Sequence, residues 1–204
     1  MWQAGECGRR PLTYYGYSRH RVSTDPLILC VCTYNQTRSV LMAALLTEHL
    51  RAEGVRAHVA SAGTRAGGGR PLPTTIDLLA RRGIDVSEHR GAPLRDGDAG
   101  SADLVITAEQ NHVIDIAARW PQQFAHTFTL PELIDRIQQA GPRGTDPIST
   151  WITRLNTGRA LGLEYLDDPT VAEVADPTGR EKQAWATAFQ QIDTLTHRLA
   201  VALR

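Results

Sequence analysis

The sequence predicts an α/β fold, a single doubly wound domain with a four-stranded parallel sheet flanked by helices on both faces. Three observations point there. Short apolar runs of the kind that forms strands buried on both faces occur at LILCVC, HVASAG, ADLVIT and HTFTL. Segments with apolar residues at helical spacing separate them, so strands and helices alternate along the chain. At 204 residues the chain suits one compact core that buries about 70% of the surface of its unfolded form.

Residues 1–26 have no sustained apolar period and are rich in Gly, Arg, Tyr and Ser. They read as a tail whose composition suits partial disorder. Recognition through Tyr14, Tyr15 and Tyr17 is the alternative use for it. The domain proper is expected over 27–204, opening with a strand at LILCVC. From Ser39 onward Met42, Leu45, Leu46 and Leu50 recur at helical spacing as far as Gly54. HVASAG at 58–63 supplies a second strand. A helix over 73–82 follows, closed by Gly83. ADLVIT at 102–107 is the third strand, with a helix from about Glu109 to Trp120 behind it, and HTFTL at 126–130 is the fourth. Pro131 suits the first turn of another short helix, and a further one is expected from Pro147 to about Leu161, with GPRGTDP as the loop between. In the last segment Trp185, Ala188, Phe189, Ile192, Leu195, Leu199 and Leu203 mark one face of a helix lying across the sheet.

Bulk composition excludes several classes. Lys plus Arg equals Asp plus Glu at 22 each, so no global field attracts nucleic acid or anionic membrane, and any bound anion must be held locally. No apolar run is long enough for a membrane span, and no apolar stretch backs the N-terminal arginines as in a secretory signal. Three cysteines, Cys7, Cys30 and Cys32, are too few and too bunched for a disulfide scaffold or a four-ligand zinc site. A cytoplasmic protein with no metal or cofactor is the expectation; its oligomeric state is not encoded in any motif.

In open α/β sheets ligands bind beyond the carboxyl ends of strands, and the first strand ends in Cys32-Thr33-Tyr34-Asn35-Gln36-Thr37-Arg38-Ser39. A Cys-x5-Arg loop wrapping onto a helix N-terminus can turn its backbone N–H groups inward as a nest for phosphate oxygens. Arg38 adds a planar fork that grips two oxygens at once. The positive helix end, Arg38 and the Ser39 hydroxyl all favour a thiolate at Cys32, a nucleophile able to attack phosphorus. Asn35 suits a positive φ within such a nest. Cys30, two residues back in the strand, reads as inert core packing, with a redox partnership to Cys32 as the alternative.

With this loop in view, the chain resembles the low-molecular-weight protein tyrosine phosphatase family, whose Cys-x-Gly-Asn-x-Cys-Arg-Ser-Pro loop follows the first strand; here it reads CTYNQTRSV. The resemblance continues through SAGT at 61–64, GIDVSEHR at 83–90, ADLVIT at 102–107 and ADPTG at 175–179, spanning residue 27 to the C-terminus. It implies that Cys32 is the nucleophile, Arg38 the phosphate and transition-state clamp, and Ser39 a thiolate stabiliser. It also implies that Thr33, Tyr34, Asn35, Gln36, Thr37, Arg38 and Ser39 form the phosphate cradle, and that Asn35, Ser39, Ser61 and His89 brace it.

The reaction needs a proton donor for the leaving oxygen and then a base for water, roles one carboxyl group can fill in turn. Three Asp-Pro pairs compete, at Asp146, Asp168 and Asp176. The family's acid lies in an Asp-Pro loop before its last helix, which singles out Asp176; Asp168 is the runner-up, and Asp146 is read as the cap of the helix beginning at Pro147.

The loop departs from the family pattern at three positions. Tyr34 replaces a Gly and should point to the rim, Thr37 replaces the second loop cysteine and with it the protective disulfide, and Val40 replaces Pro. Thr178 and Gly179 stand where the family often has tyrosines, and RAGGGRP at 65–71 lacks the aromatic of the opposite rim. The segment of roughly 135–170 exceeds the family's usual connection, as decoration or as a lid or partner surface. The expected activity is hydrolysis of a phosphate monoester, protein phosphotyrosine or a small phosphate ester, through a cysteinyl-phosphate on Cys32. Thiol-dependent arsenate reduction on the same scaffold and a non-catalytic phosphate-binding module are the alternatives.

Overall fold

The computed structural model describes residues 25–204; Cys7, Tyr14, Tyr15 and Tyr17, with all but the end of the expected tail, lie outside the described residues. Four parallel strands, β1 (Leu27–Cys32), β2 (His58–Gly63), β3 (Leu104–Thr107) and β4 (Thr127–Thr129), form one sheet in the order β2-β1-β3-β4. The helices are α1 (Arg38–Ala52), α2 (Pro73–Ala80), α3 (Asp96–Ser101), α4 (Gln110–Arg119), α5 (Leu130–Ala140), α6 (Ile148–Leu155), α7 (Leu163–Leu166) and α8 (Lys182–Ala202). A 3-10 stretch, Pro121–His126, leads into β4.

Side chains of a strand alternate between faces, and β1 supplies both cores. Ile28, Cys30 and Cys32 join Leu104, Ile106 and Phe128 in the larger one, which also takes residues of α1, α5, α6 and α8. Leu29 and Val31 turn the other way, to Val105, Ala99 and Ile116. That double burial explains why the strand reads as an unbroken apolar run. From β1 the chain goes outward to β2 and returns to β3 on the other side, so the carboxyl end of β1, where Cys32 sits, is the topological switch point.

The helix foreseen at Pro131 is α5. Its first turn is closed by reciprocal bonds: Glu132 N–H donates to Thr129 Oγ1 at 3.2 Å, and Thr129 N–H donates to Glu132 Oε2 at 3.3 Å. Of the face foreseen on α8, Trp185, Ala188, Ile192 and Leu199 are buried, but α8 packs chiefly on α1 and α5, so it lies over helices more than over strands.

Four local expectations are corrected. The helix foreseen over 147–161 stops at Leu155: Asn156 turns its Nδ2 back to Ile152 O at 2.8 Å, and Gly158 and Gly162 take φ of 66° and 57°, which breaks the helical path before α7. Asp146 does not cap α6, whose N-cap is Pro147; its carboxylate pairs with Arg154. Helix α3 was not foreseen, because DGDAGS has no apolar period; Asp98 accepting from Arg95 N–H at 3.0 Å fixes its first turn. Helix α2 ends two residues early, at Ala80, and Gly83 at φ 75° completes the turn beyond it.

Candidate active site

The loop from Cys32 to Ser39 is held by bonds to its outward-facing carbonyls. Thr64 N–H donates to Cys32 O at 3.0 Å, Arg65 N–H to Thr33 O at 2.8 Å and Leu72 N–H to Gln36 O at 3.2 Å. His89 Nε2 donates to Asn35 O at 3.1 Å. Among the described residues, the backbone N–H groups of Tyr34 to Arg38 donate to no protein acceptor. Amides left in this way can together hold an anion. Asn35 takes φ 53°, alone among the described non-glycine residues in having a positive φ. Its buried side chain ties the loop in two directions: Oδ1 accepts from Ala92 N–H and Nδ2 donates to Ser39 Oγ, both at 2.9 Å.

Ser39 Oγ lies 3.0 Å from Cys32 Sγ. Ser39 Oγ accepts from the Asn35 amide and still has its one proton, which it can donate to a thiolate at Cys32. Two glycines allow this packing. A Cβ on Gly63 would lie 2.7 Å from Thr33 O and 2.9 Å from Asn35 N, and one on Gly91 would lie 2.8 Å from Tyr34 O.

Arg38 is buried at 2% exposure. Its Nη1 pairs with Glu109 Oε1 and donates to Val174 O at 3.1 Å, while Nη2 donates to Asp176 Oδ2 at 2.9 Å. The guanidinium that ends the loop thus bridges two carboxylates, one after β3 and one before α8. Burial acts to raise the half-buried Asp176 carboxyl. Hydrogen bonds from Thr178, together with the charges of Arg38 and Arg180, outweigh it and hold the group below its ordinary range. His112 completes this wall. Its Nδ1 accepts from Glu109 N–H at 3.2 Å, so the ring is neutral with its proton on Nε2, which donates to Thr33 Oγ1 at 3.0 Å. Burial pushes its pKa down, and Arg38 adds to that against the opposing pull of Glu109, Asp115 and Asp176.

Of the residues foreseen as a site, Cys32, Asn35, Arg38, Ser39, His89 and Asp176 converge. Thr33 joins them through His112, and Thr37 is buried at the start of α1. Gln36 lies along Gly69, and Tyr34, 55% exposed, stands on the rim as expected. Ser61 is buried in β2 level with Cys30, and its side chain makes no hydrogen bond to the loop, which is held instead through the backbone of Thr64 and Arg65. Asp168 does not reach Arg38; its Oδ1 is taken by Thr170 N–H and Oγ1 at 2.8 and 2.6 Å within its own turn. Cys30 is a free, fully buried thiol pushed far up by burial and by Cys32, which fits inert packing. Sequence reasoning missed Glu109 and His112. The available signal was their position just past the carboxyl end of β3, beside Cys32 at the end of β1.

The model of a family described as "Low molecular weight phosphotyrosine protein phosphatase" matches residues 27–161. The "Probable low molecular weight protein-tyrosine-phosphatase EpsP" of Ralstonia nicotianae is 36% identical over 107 residues, covering 52% of this chain and 71% of that one. A protein-arginine-phosphatase of Bacillus subtilis is 32% identical over 108 residues, with the same two coverages. Among solved structures, an arginine phosphatase of Geobacillus stearothermophilus superposes with a TM-score of 0.61 at 27% identity, covering 86% of this chain and 91% of that one. Fold and site together with these matches define a phosphoric monoester hydrolase of the protein phosphatase type. The chain belongs to the low molecular weight phosphotyrosine protein phosphatase family.

Proposed function

We propose that the chain hydrolyses phosphotyrosine on proteins through a cysteinyl-phosphate on Cys32, with Asp176 as general acid and then base. Substrate phosphate occupies the N–H nest of the loop and draws the Arg38 fork onto its oxygens. Asp176 thereby loses its cationic neighbour and gains a dianion nearby; both changes raise its pKa and favour the protonated acid. The Cys32 thiolate attacks phosphorus, an S–P bond forms as the ester O–P bond breaks, and Asp176 gives its proton to the leaving oxygen. Water then attacks the S–P intermediate while Asp176 takes back a proton, releasing phosphate and the thiolate.

The observation that carries this proposal is the 2.9 Å contact of Asp176 with the arginine that ends the Cys32 loop. A single arginine puts the carboxyl within reach of whatever the loop holds. The test is turnover of para-nitrophenyl phosphate. Cys32→Ser is expected to be inactive, and Asp176→Asn to lose about 100- to 10,000-fold with poor leaving groups and less with good ones. Undiminished turnover by Cys32→Ser overturns the proposal. A free buried Cys30 and Cys32 suit a reducing cytoplasm.

Phosphoarginine is the second substrate reading. Two of the similar proteins are named arginine phosphatases, and the cleft wall carries Glu109, His112 and Asp176 where an aromatic slot would suit a phenol ring. Relative kcat/KM on phosphotyrosyl and phosphoarginyl versions of one peptide separates the two.

A further inference from the structure

Three leucines on one short stretch are exposed: Leu161 at 64%, Leu163 at 75% and Leu166 at 42%. The stretch is firmly anchored. Just before it, buried Arg159 forms a two-pronged pair with Glu132 at 2.7 and 3.1 Å, and donates to Phe124 O and Thr127 O. The rings of Phe124, Phe128 and Tyr165 surround its guanidinium at 4.2 to 4.8 Å. Tyr165, in the middle of α7, gives its hydroxyl to Glu132 at 3.0 Å. Gln110 Nε2 then donates to Tyr165 O and Asp168 O, and Gln110 directly follows the Glu109 that holds Arg38. The leucines therefore ride on an anchored arm tied through Gln110 to the segment that holds Arg38, and their exposure comes from an anchored backbone.

The charge on the arm's own residues has one sign. Residues 160–179 contain the carboxylates of Glu164, Asp167, Asp168, Glu173 and Asp176 and no Lys, Arg or His. Among the described residues, neither Glu164 nor Asp167 has a cationic partner, and both are exposed. A hollow of about 120 Å³ beside the arm, edged by Asp135, Asp168 and Thr170 and also by Arg136 and the Glu132-paired Arg159, has room for one side chain. Along the Cys32 loop the sign reverses. Arg65 and Arg70 are exposed on the 64–71 stretch that braces the loop, and that stretch has no acidic residue.

We propose that the arm at 160–168 is the docking surface for the protein substrate, taking an apolar stretch that carries lysine or arginine to one side of the phosphorylated residue. The leucines bury the apolar part, the carboxylates of the arm meet its cations, and the Arg65 and Arg70 rim repels the reverse orientation. The proposal rests on the phosphatase reading above and adds the recognition of the substrate's flank.

The test compares two phosphotyrosyl peptides, one with a Leu/Arg-rich flank and one with a Gln/Glu-rich flank, alongside para-nitrophenyl phosphate, which has no flank. The proteins are the wild type, the triple variant Leu161→Asn/Leu163→Asn/Leu166→Asn and the charge variant Glu164→Lys/Asp167→Lys. All five positions are exposed, so both variants are expected to melt like the wild type. The wild type is expected to favour the Leu/Arg peptide at least tenfold in kcat/KM, mostly through KM. Both variants should lose that preference while keeping para-nitrophenyl phosphate turnover, and added salt should weaken the wild-type preference. Equal use of the two peptides by the wild type, or variants that keep its preference, overturns the docking proposal. Absence of para-nitrophenyl phosphate turnover in the wild type sinks the phosphatase reading instead. Docking is then read from fluorescence anisotropy of the unphosphorylated Leu/Arg peptide, which should bind the wild type and not the triple variant; equal binding overturns it.

Discussion

The hydroxyl of Ser39 lies 3.0 Å from the sulfur of Cys32 while its oxygen accepts from the Asn35 amide at 2.9 Å, and to a thiolate, which cannot donate, it supplies the proton of the bond. A hydrogen bond to a charged acceptor contributes about 1.5–3 kcal/mol. Ser39→Ala is therefore expected to lower kcat on para-nitrophenyl phosphate about 10- to 100-fold with KM little changed, measured at the pH optimum of the wild type. An unchanged kcat would mean the sulfur does not depend on this donor.

A methyl group on Gly63 would meet backbone atoms of the loop at 2.7 and 2.9 Å, and neither is the end of a flexible side chain. Gly63→Ala should shift the loop and reduce kcat/KM about 100-fold, the loss usual for a misplacement near 1 Å. Gly97 in α3 has open space where its Cβ would go, so Gly97→Ala serves as a control with wild-type activity. Steady-state kinetics and circular dichroism on the pair separate a local displacement from unfolding.

His112 carries a pH dependence whose sign follows from its environment. Burial lowers its folded-state pKa below the ordinary value of about 6.5. Its contribution to stability is thus complete above the unfolded pKa and is lost as pH falls from there through the folded value. Between pH 7.5 and 5 the melting temperature of the wild type should fall more steeply than that of His112→Asn, so the gap between them narrows toward acid. His89, also lowered chiefly by burial, contributes in the same direction, so the full flattening is expected of the variant lacking both rings. Parallel melting curves for all three proteins would contradict this account of the buried neutral rings.

Arg159 and Glu132 are a buried pair, and removing one partner strands the other's charge. Arg159→Met should destabilise the fold by about 3–5 kcal/mol, read from urea unfolding. Adding Glu132→Gln should recover part of that loss, because the stranded carboxylate is gone. A double variant less stable than the single one would show that the Tyr165 hydroxyl bond to Glu132 matters more than its charge.

The sheet was legible because its strands advertise themselves: a strand buried on both faces must be apolar throughout, and LILCVC is. The loop from Cys32 to Ser39 was legible for a related reason. Cysteine, asparagine, arginine and serine sit within eight consecutive residues, and the chemistry of each fits a cradle at a helix start. Glu109 and His112 escaped notice because their roles come from folding, which brings them 71 residues to Arg38 and 79 residues to Thr33. No local pattern marks an acid that meets a distant guanidinium. Asp146, Asp168 and Asp176 share the same Asp-Pro signature, yet only Asp176 reaches Arg38, while Arg154 and Thr170 claim the others. Similarly, α7 is too short for a period to show, and its position is fixed by Arg159, a residue that in sequence looks like any surface arginine.

At rest, the guanidinium of Arg38 is spoken for on both prongs, by Glu109 and by Asp176. In the proposed cycle an incoming ester must displace at least one of these tenants, and after hydrolysis the same carboxylate competes to return. On that proposal, inorganic phosphate left in the cradle meets an internal rival for the same guanidinium, which favours its departure. Weakening that rival should turn phosphate from a poor inhibitor into a lingering one.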